Sequence, residues 1–237
     1  MLHSHYVRCI IDQQRRMCIM HKSLSIPDMD RRVHRSKQAL KASLLEWMSR
    51  KPFESITITD IVKLADVNRS TFYKHYVYRE DLLNEILKDV MADLIFAYRA
   101  PYQHYQDFGI MDLNASAIKI FDHVLGHATF YALLVNTNTL SGFRDTLYET
   151  LKTLYLEDVT DMSPDPRVNK ELLACYQANA VLGLITGWVQ SNFKYSASYM
   201  AEQLLEFTRM NRSNEVYRSN LNPSLDEMER GTVSHDN

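Results

Sequence analysis

The stretch from Thr57 to Tyr76 constrains this chain more than any other part of it. It opens with Thr57-Ile58-Thr59-Asp60, where a hydroxyl and a carboxylate three residues apart can each satisfy a backbone amide left orphaned at a helix start. A short helix over about 59–64 is therefore predicted. Asp66-Val67 predicts a tight turn, because Asp tolerates left-handed backbone better than most residues. Asn68 is placed to cap a further helix through about His75. Val67, Phe72 and Tyr76 are the apolar residues that would lock this turn onto Ile61 and Ala65.

Helical periodicity flanks this unit on both sides. Ala39, Leu40, Leu44, Leu45 and Trp47 or Met48 recur at three- and four-residue steps, predicting a helix over about 31–50 that Pro52 ends. Another begins near Arg79, with Glu80 and Asp81 in a first turn that favours acids. It runs through Leu82, Ile86, Val90 and Leu94 to about Arg99, with Pro101 just beyond. Further helices are expected near 111–126, 128–136, 140–157, 168–193 and 197–210. Glycine and proline number only six each, and alternating strand-like runs are hard to find. The expected fold is all-α: an N-terminal three-helix helix-turn-helix domain joined by a long helix to a C-terminal helical bundle.

Charge is unevenly spread. Between Arg31 and Arg79 eleven Lys and Arg face four Asp and Glu, so this segment carries +7 in a chain of net charge −2. A basic segment on an acidic remainder suits contact of one part with a polyanion. Two short helices joined by a tight turn, the second opening with small polar and basic residues, are suited to the DNA major groove. The second helix would present Arg69, Ser70 and Thr71 to base edges, with Tyr73 and Lys74 one turn on. Arg69 can reach guanine in a bidentate manner, and a Thr methyl can meet a thymine methyl. Asn68 and the helix start beside it suit a phosphate. Arg31, Arg32, Arg35 and Lys37 either form an arm along a phosphate strand or are simply solvated.

The run from Thr57 to Tyr76, ending in Phe72-Tyr73-Lys74-His75-Tyr76 and followed by Arg79-Glu80-Asp81-Leu82-Leu83, resembles the N-terminal domain of the TetR family of transcriptional regulators. Phe53-Glu54-Ser55-Ile56 fits the same pattern. The resemblance implies a homodimer on a near-palindromic double-stranded DNA operator, with C-terminal helices that dimerise and often hold a small-molecule effector. By position it implies phosphate contacts from Thr57 and Thr59, recognition contacts from Asn68, Arg69, Ser70 and Thr71, and backbone approach by Tyr73 and His75. Arg79 stands where the family usually has a phosphate-binding Lys. Asp66 replaces the usual turn glycine, and Tyr78 replaces a small polar cap, leaving that helix start less well capped. The function implied is a repressor released by an effector. The alternative is a TetR-like activator or adaptor whose C-terminal domain binds a protein. No nucleophile–base pair, phosphate loop or ligand cluster suggests an enzyme, and no cofactor is expected.

The segment from Glu171 to Phe193 is apolar nearly all round, so it must be buried on several sides. By resemblance it and Ser198 to Met210 form a four-helix interface between two copies, with Leu182, Ile185, Trp188 and Val189 at the contact. An intrachain core role is the other reading. Ala180, Gly183 and Gly187 line one face and would allow close helix approach. Phe96, Tyr98, Tyr102, Phe121, Phe130, Tyr131, Tyr148 and Tyr155 either line an effector pocket or are plain core. His123 and His127 lie one turn apart but lack an acidic or cysteine partner nearby in sequence, so no metal is expected. The three cysteines (Cys9, Cys18 and Cys175) make no metal-ligand spacing, and their odd number speaks against a disulfide framework. No apolar run is expected to span a bilayer, which needs about 18 residues, and a reducing cytoplasm is the default location. Residues 1–28 are expected to be a flexible extension, with Met29 beginning the functional protein, or else a short helix packed on the body. Residues 29–78 are expected to bind DNA, 79–211 to dimerise and hold an effector, and 212–237 to form a polar tail.

Overall fold

The computed structural model describes residues 28–102, 107–137, 140–162, 165–212 and 216–219. The expectations for residues 1–27 therefore lie outside the described residues. Two compact units are formed. Of the described residues, one comprises those up to Asp93 together with Gly126–Thr146, and the other comprises those of Leu94–Leu125 and those from Leu147 onward.

The first unit contains α1 (Asp28–Met48), α2 (Ile58–Leu64), α3 (Arg69–Tyr73), the first part of α4 (Arg79–Arg99), α6 (Ala128–Asn136) and the start of α7 (Ser141–Asp158). Its core takes Leu40 and Leu44 from α1, Ile56 and Ile61 around α2, Phe72 from α3, and Leu82 and Ile86 from α4, all at most 3% exposed. Polar groups hold α1 against α2. The Ser43 hydroxyl donates to the Ile61 carbonyl at 2.8 Å, and the Trp47 indole donates to the Asp60 carbonyl at 3.0 Å. A charge network holds α1 to α4, with Lys37 bonded to Glu85, and Lys41 paired with Glu85 and Asp89. Burial works against the charge on Lys41, yet the two carboxylates hold its pKa above the ordinary value.

The second unit contains the remainders of α4 and α7, α5 (Ile120–Gly126), α8 (Lys170–Gln190) and α9 (Ala197–Arg212). It also holds three short strands, β1 (Asp107–Gly109), β2 (Val159–Asp161) and β3 (Val216–Ser219), in the antiparallel order β1-β3-β2. Asp107 is opposite Arg218, and Thr160 is opposite the same residue on the other side. Part of the stretch read as a polar tail is thus a strand. The helix expected over 111–126 is confined to Ile120–Gly126, preceded by single 3-10 turns at Ile110–Asp112 and Ala115–Ala117. Asp112 accepts from the Gly109 amide and Asn114 from the Ser116 amide, and such local bonds compete with the helix ladder.

The sequence reading missed one property of α8. Its 21 residues, with a mean hydropathy of 1.4 over the most apolar window, are long and apolar enough to cross a membrane by length and composition. The core helix of a folded domain passes the same test. Ala174, Ala178, Leu182, Ile185, Trp188 and Val189 of α8 are buried within the second unit. Left-handed Asn192 and Phe193 end it, with Phe193 N–H donating to the Trp188 carbonyl at 3.0 Å. Trp188 is fixed on both sides. Its indole donates to the Tyr195 carbonyl at 2.9 Å, and Phe121 and Phe193 each set a ring edge-on to it.

Candidate nucleic-acid interface

The start of α2 is built by the expected reciprocal cap. The Thr57 hydroxyl accepts from the Asp60 amide at 3.1 Å, while the Asp60 carboxylate accepts from the Thr57 amide at 2.9 Å and its hydroxyl at 2.8 Å. Lys51 bonds the same carboxylate at 2.9 Å. With Lys51 first and then the Thr57 amide and hydroxyl, these bonds hold the Asp60 pKa down at about 2. Thr59 is exposed one position into the helix. The turn after α2 needs a left-handed residue, and Asp66 supplies it at φ 52°. The Val67 amide then returns to the Val62 carbonyl at 3.1 Å.

Two expectations for α3 are corrected. Asn68 has the extended backbone of a cap, but its side chain makes no capping bond; the Thr71 amide goes instead to the Asn68 carbonyl at 2.8 Å. The helix is also shorter than expected, ending at Tyr73, with Lys74 and His75 in the turn that follows. Buried Phe72 anchors α3, with the rings of Tyr73 and Tyr76 packed on it at 5.7 and 5.5 Å. Opposite that anchor, Asn68, Arg69, Ser70, Tyr73 and Lys74 are exposed, while Thr71 and His75 are half-buried. Arg69 lies over the Tyr73 ring at 5.6 Å and donates to its hydroxyl at 3.2 Å.

The start of α4 is better capped than Tyr78 suggested. Asp81 reaches back from the first turn and accepts from the amides of Val77 and Tyr78, at 3.0 and 2.8 Å. Arg79 is drawn into the framework. It donates to the carbonyls of Glu54 and Ile56, bonds Glu80, and lies 4.9 Å over the Phe53 ring.

The basic excess of this segment therefore divides in two. Lys37, Lys41, Arg50, Lys51 and Arg79 are in intrachain ion pairs. Among the described residues Arg31, Arg32, Arg35, Lys63, Arg69 and Lys74 have no acidic partner, and all six are exposed. Lys63 was not singled out from sequence, because at the last turn of α2 it looks like an ordinary solvated lysine.

In the second unit, the residues expected at a dimer contact are buried in the single chain. Leu182, Ile185, Trp188 and Val189 are at most 8% exposed, which fits the intrachain core role given as their other reading. The open face of α8 instead carries Leu172 and Tyr176, 69% and 57% exposed, with Asn179, Gly183 and Gly187 following. A Cβ at Gly183 or Gly187 would meet nothing within 4 Å. On α9, Tyr199, Phe207 and Met210 are exposed as well. Of the aromatic residues considered for a pocket, Tyr98, Tyr102 and Tyr155 line a cavity in this unit. Phe121 is packed on Trp188, Phe130 and Tyr131 belong to the core of the first unit, Tyr148 is bonded to Cys175, and Phe96 is exposed. His123 is buried, and His127 lies 3.2 Å from Asp93.

Two family models match the chain. One, described as bacterial regulatory proteins, tetR family, matches residues 42–86, and one described as transcriptional regulator C-terminal region matches residues 112–210. A curated relative in Bacillus subtilis (strain 168), the uncharacterized HTH-type transcriptional regulator YxbF, is 24% identical over 180 residues, which are 76% of this chain. The chain spans about half the length of that relative, 46%. Among solved structures, a TetR-family transcriptional regulator from Syntrophomonas wolfei is 17% identical at a TM-score of 0.52, covering 74% of this chain and 94% of that one. The fatty acid degradation regulator FadR from Bacillus halodurans is 14% identical at a TM-score of 0.50, covering 73% and 93%. At such identities the two structures speak for the fold alone.

Proposed function

Because the chain belongs to the TetR family of DNA-binding transcriptional regulators, we propose that it is a cytoplasmic repressor, a homodimer released from a near-palindromic operator by a small-molecule effector. In this reading residues 29–78 bind DNA, 79–211 dimerise and hold the effector, 1–28 are an N-terminal extension, and of the stretch 212–237 the strand Val216–Ser219 belongs with the effector-holding unit. The observation that carries it is a set of exposed cations without acidic partners on α2, α3 and the turn after α3. Lys63, Arg69 and Lys74 stand beside exposed Asn68 and Ser70, and Phe72 and the Thr57–Asp60 cap fix the backbone beneath them.

Each group then has a physical task. Arg69 and Ser70 read base edges, with Thr71 beside them. Asn68, Thr59, Lys63, Tyr73, Lys74 and His75 meet the phosphate backbone, which sets affinity and register without sequence information. The Thr57 hydroxyl is spent on its cap, so its contribution to a phosphate contact is chiefly the position it gives the start of α2. Two copies read two half-sites, joined through the exposed faces of α8 and α9. An effector that favours a dimer mismatched to the half-site spacing weakens operator binding, and linkage requires the operator to weaken effector binding equally.

Selecting bound sequences from a random DNA pool tests this reading, and a palindromic consensus is expected. If a dimer neutralises about eight phosphates, log affinity should fall with log salt at a slope of about −7. A slope near zero would overturn DNA binding. Operator binding altered by a protein and by no metabolite would replace the effector-released repressor with an activator or adaptor.

A further inference from the structure

The second unit holds a partly open cavity of about 120 Å³, and its size, shape and polarity point to a class of occupant. Its volume is close to that of an apolar cavity of roughly 150 Å³ that takes up benzene, so a single ring suits it better than a long acyl chain. One wall is aromatic. The Tyr98 and Tyr102 rings meet at 6.1 Å and 60°, and Tyr102 stacks on Phe108 at 5.1 Å and 28°. A planar ligand ring can extend that series by edge-on or offset contact. Leu113, Leu151 and Val181 supply aliphatic walls.

Polarity in the lining is sparse and uncharged. Among the described residues no Lys, Arg, His, Asp or Glu lines the cavity; the polar side chains in its lining are those of Tyr98, Tyr102, Tyr155, Gln177 and Thr208. The Thr208 hydroxyl donates to the Leu204 carbonyl at 2.8 Å, which leaves it an acceptor toward a ligand. Burial, and next the neighbouring Asp158 and Tyr155, push the Tyr102 phenol up to about 12, so it stays protonated and can donate. One buried pair of charges near the cavity is spent on itself. Arg99 bonds Asp158 twice, at 2.6 and 3.0 Å, with side chains 8% and 0% exposed. A ligand carboxylate would lose hydration there and meet no cation among the described lining residues.

We propose that this cavity binds an uncharged, single-ring aromatic compound bearing one hydroxyl-type group, with Tyr102 and Thr208 as its polar contacts. The inference rests on the effector-released reading above only for its consequence on DNA. Titration calorimetry of the full chain without DNA tests it, with phenol, toluene, benzoate and decanoate as probes. Phenol is expected to bind saturably, and benzoate at least about tenfold more weakly, the cost of an uncompensated buried charge. Val181→Phe fills the space and should lower phenol affinity by about tenfold or more. Thr208→Val keeps the shape and removes the acceptor, so it should weaken phenol about fivefold and leave toluene unchanged. Thr208→Val decides the matter if Val181→Phe does not fold. Absence of saturable phenol binding, benzoate or decanoate bound as tightly as phenol, or phenol affinity unchanged in the folded variants overturns the proposal. Phenol bound in the cavity while operator affinity stays the same would uphold it and refute effector release by this site.

Discussion

Arg79 Nη1 donates to the Glu54 carbonyl oxygen at 2.9 Å, which joins the first residue of α4 to the turn preceding α2. The same nitrogen serves the Ile56 carbonyl, Nε serves Glu80, and the guanidinium plane covers Phe53. A position that by resemblance holds a phosphate-binding lysine is therefore a brace as well. The planar fork makes both tasks compatible, because Nη2 is left over for a phosphate.

Replacing Arg79 should separate these tasks. Arg79→Ala loses charge-assisted bonds to carbonyls in the core's rim and should cost about 1–3 kcal/mol in urea unfolding. It should also weaken all DNA sequences alike. Arg79→Lys restores the charge without the fork, so DNA affinity should recover more than stability does. Equal recovery of both would show that the bonds to Glu54 and Ile56 contribute little.

The cap on α2 predicts a pH response. The Asp60 pKa is depressed to about 2 from an ordinary 3.8, so its contribution is present above the unfolded value and lost as pH falls from about 4 toward 2. Acid unfolding of Asp60→Asn should lack that component. Thr57→Ala removes the other half of the box and should cost about 1 kcal/mol at neutral pH. An acid transition identical in wild type and Asp60→Asn would remove Asp60 from the account.

Arg69 lies along α3 on the Tyr73 ring, and in the proposed reading it turns from there to a base. Arg69→Ala should cost about 1–3 kcal/mol on the preferred operator and less on other DNA, relaxing specificity at one position per half-site. His75→Ala should weaken all sequences alike. Binding assays on the selected operator and on a scrambled duplex check both. Uniform loss for Arg69→Ala would take away its base-reading role.

Local chemistry made some of this legible in the sequence. The Thr57–Asp60 box and the left-handed Asp66 involve neighbours within a few residues, and both are found as read. Non-local partnerships were not legible. β1 pairs with β3 across more than a hundred residues, and three-residue strands leave no periodicity to detect. The role of Arg79 was half-visible: its charge can be read, but the carbonyls of Glu54 and Ile56 become its partners only when α4 folds beside α2. In α8 the reason is different. A segment apolar nearly all round has no preferred face in its sequence, so which side meets the protomer's own core is decided by packing alone.

That packing decides the last prediction. Trp188, Leu182, Ile185 and Val189 are committed to the protomer, whereas Leu172, Tyr176, Phe207 and Met210 are exposed on α8 and α9. Exposed apolar side chains together with open glycines are what a close helix–helix contact with a second copy requires. Leu182→Ala should therefore destabilise the protomer by about 2–5 kcal/mol through lost burial and a cavity. Tyr176→Glu combined with Phe207→Glu should leave helical content and melting of the protomer near wild type. It should nonetheless shift sedimentation from dimer to monomer, because a carboxylate buried at an interface without a partner is costly. Operator affinity should then become steeply dependent on protein concentration. A double variant that still sediments as a dimer would move the interface off this face, and Leu182→Ala dissociating without unfolding would return it to the residues the sequence first suggested.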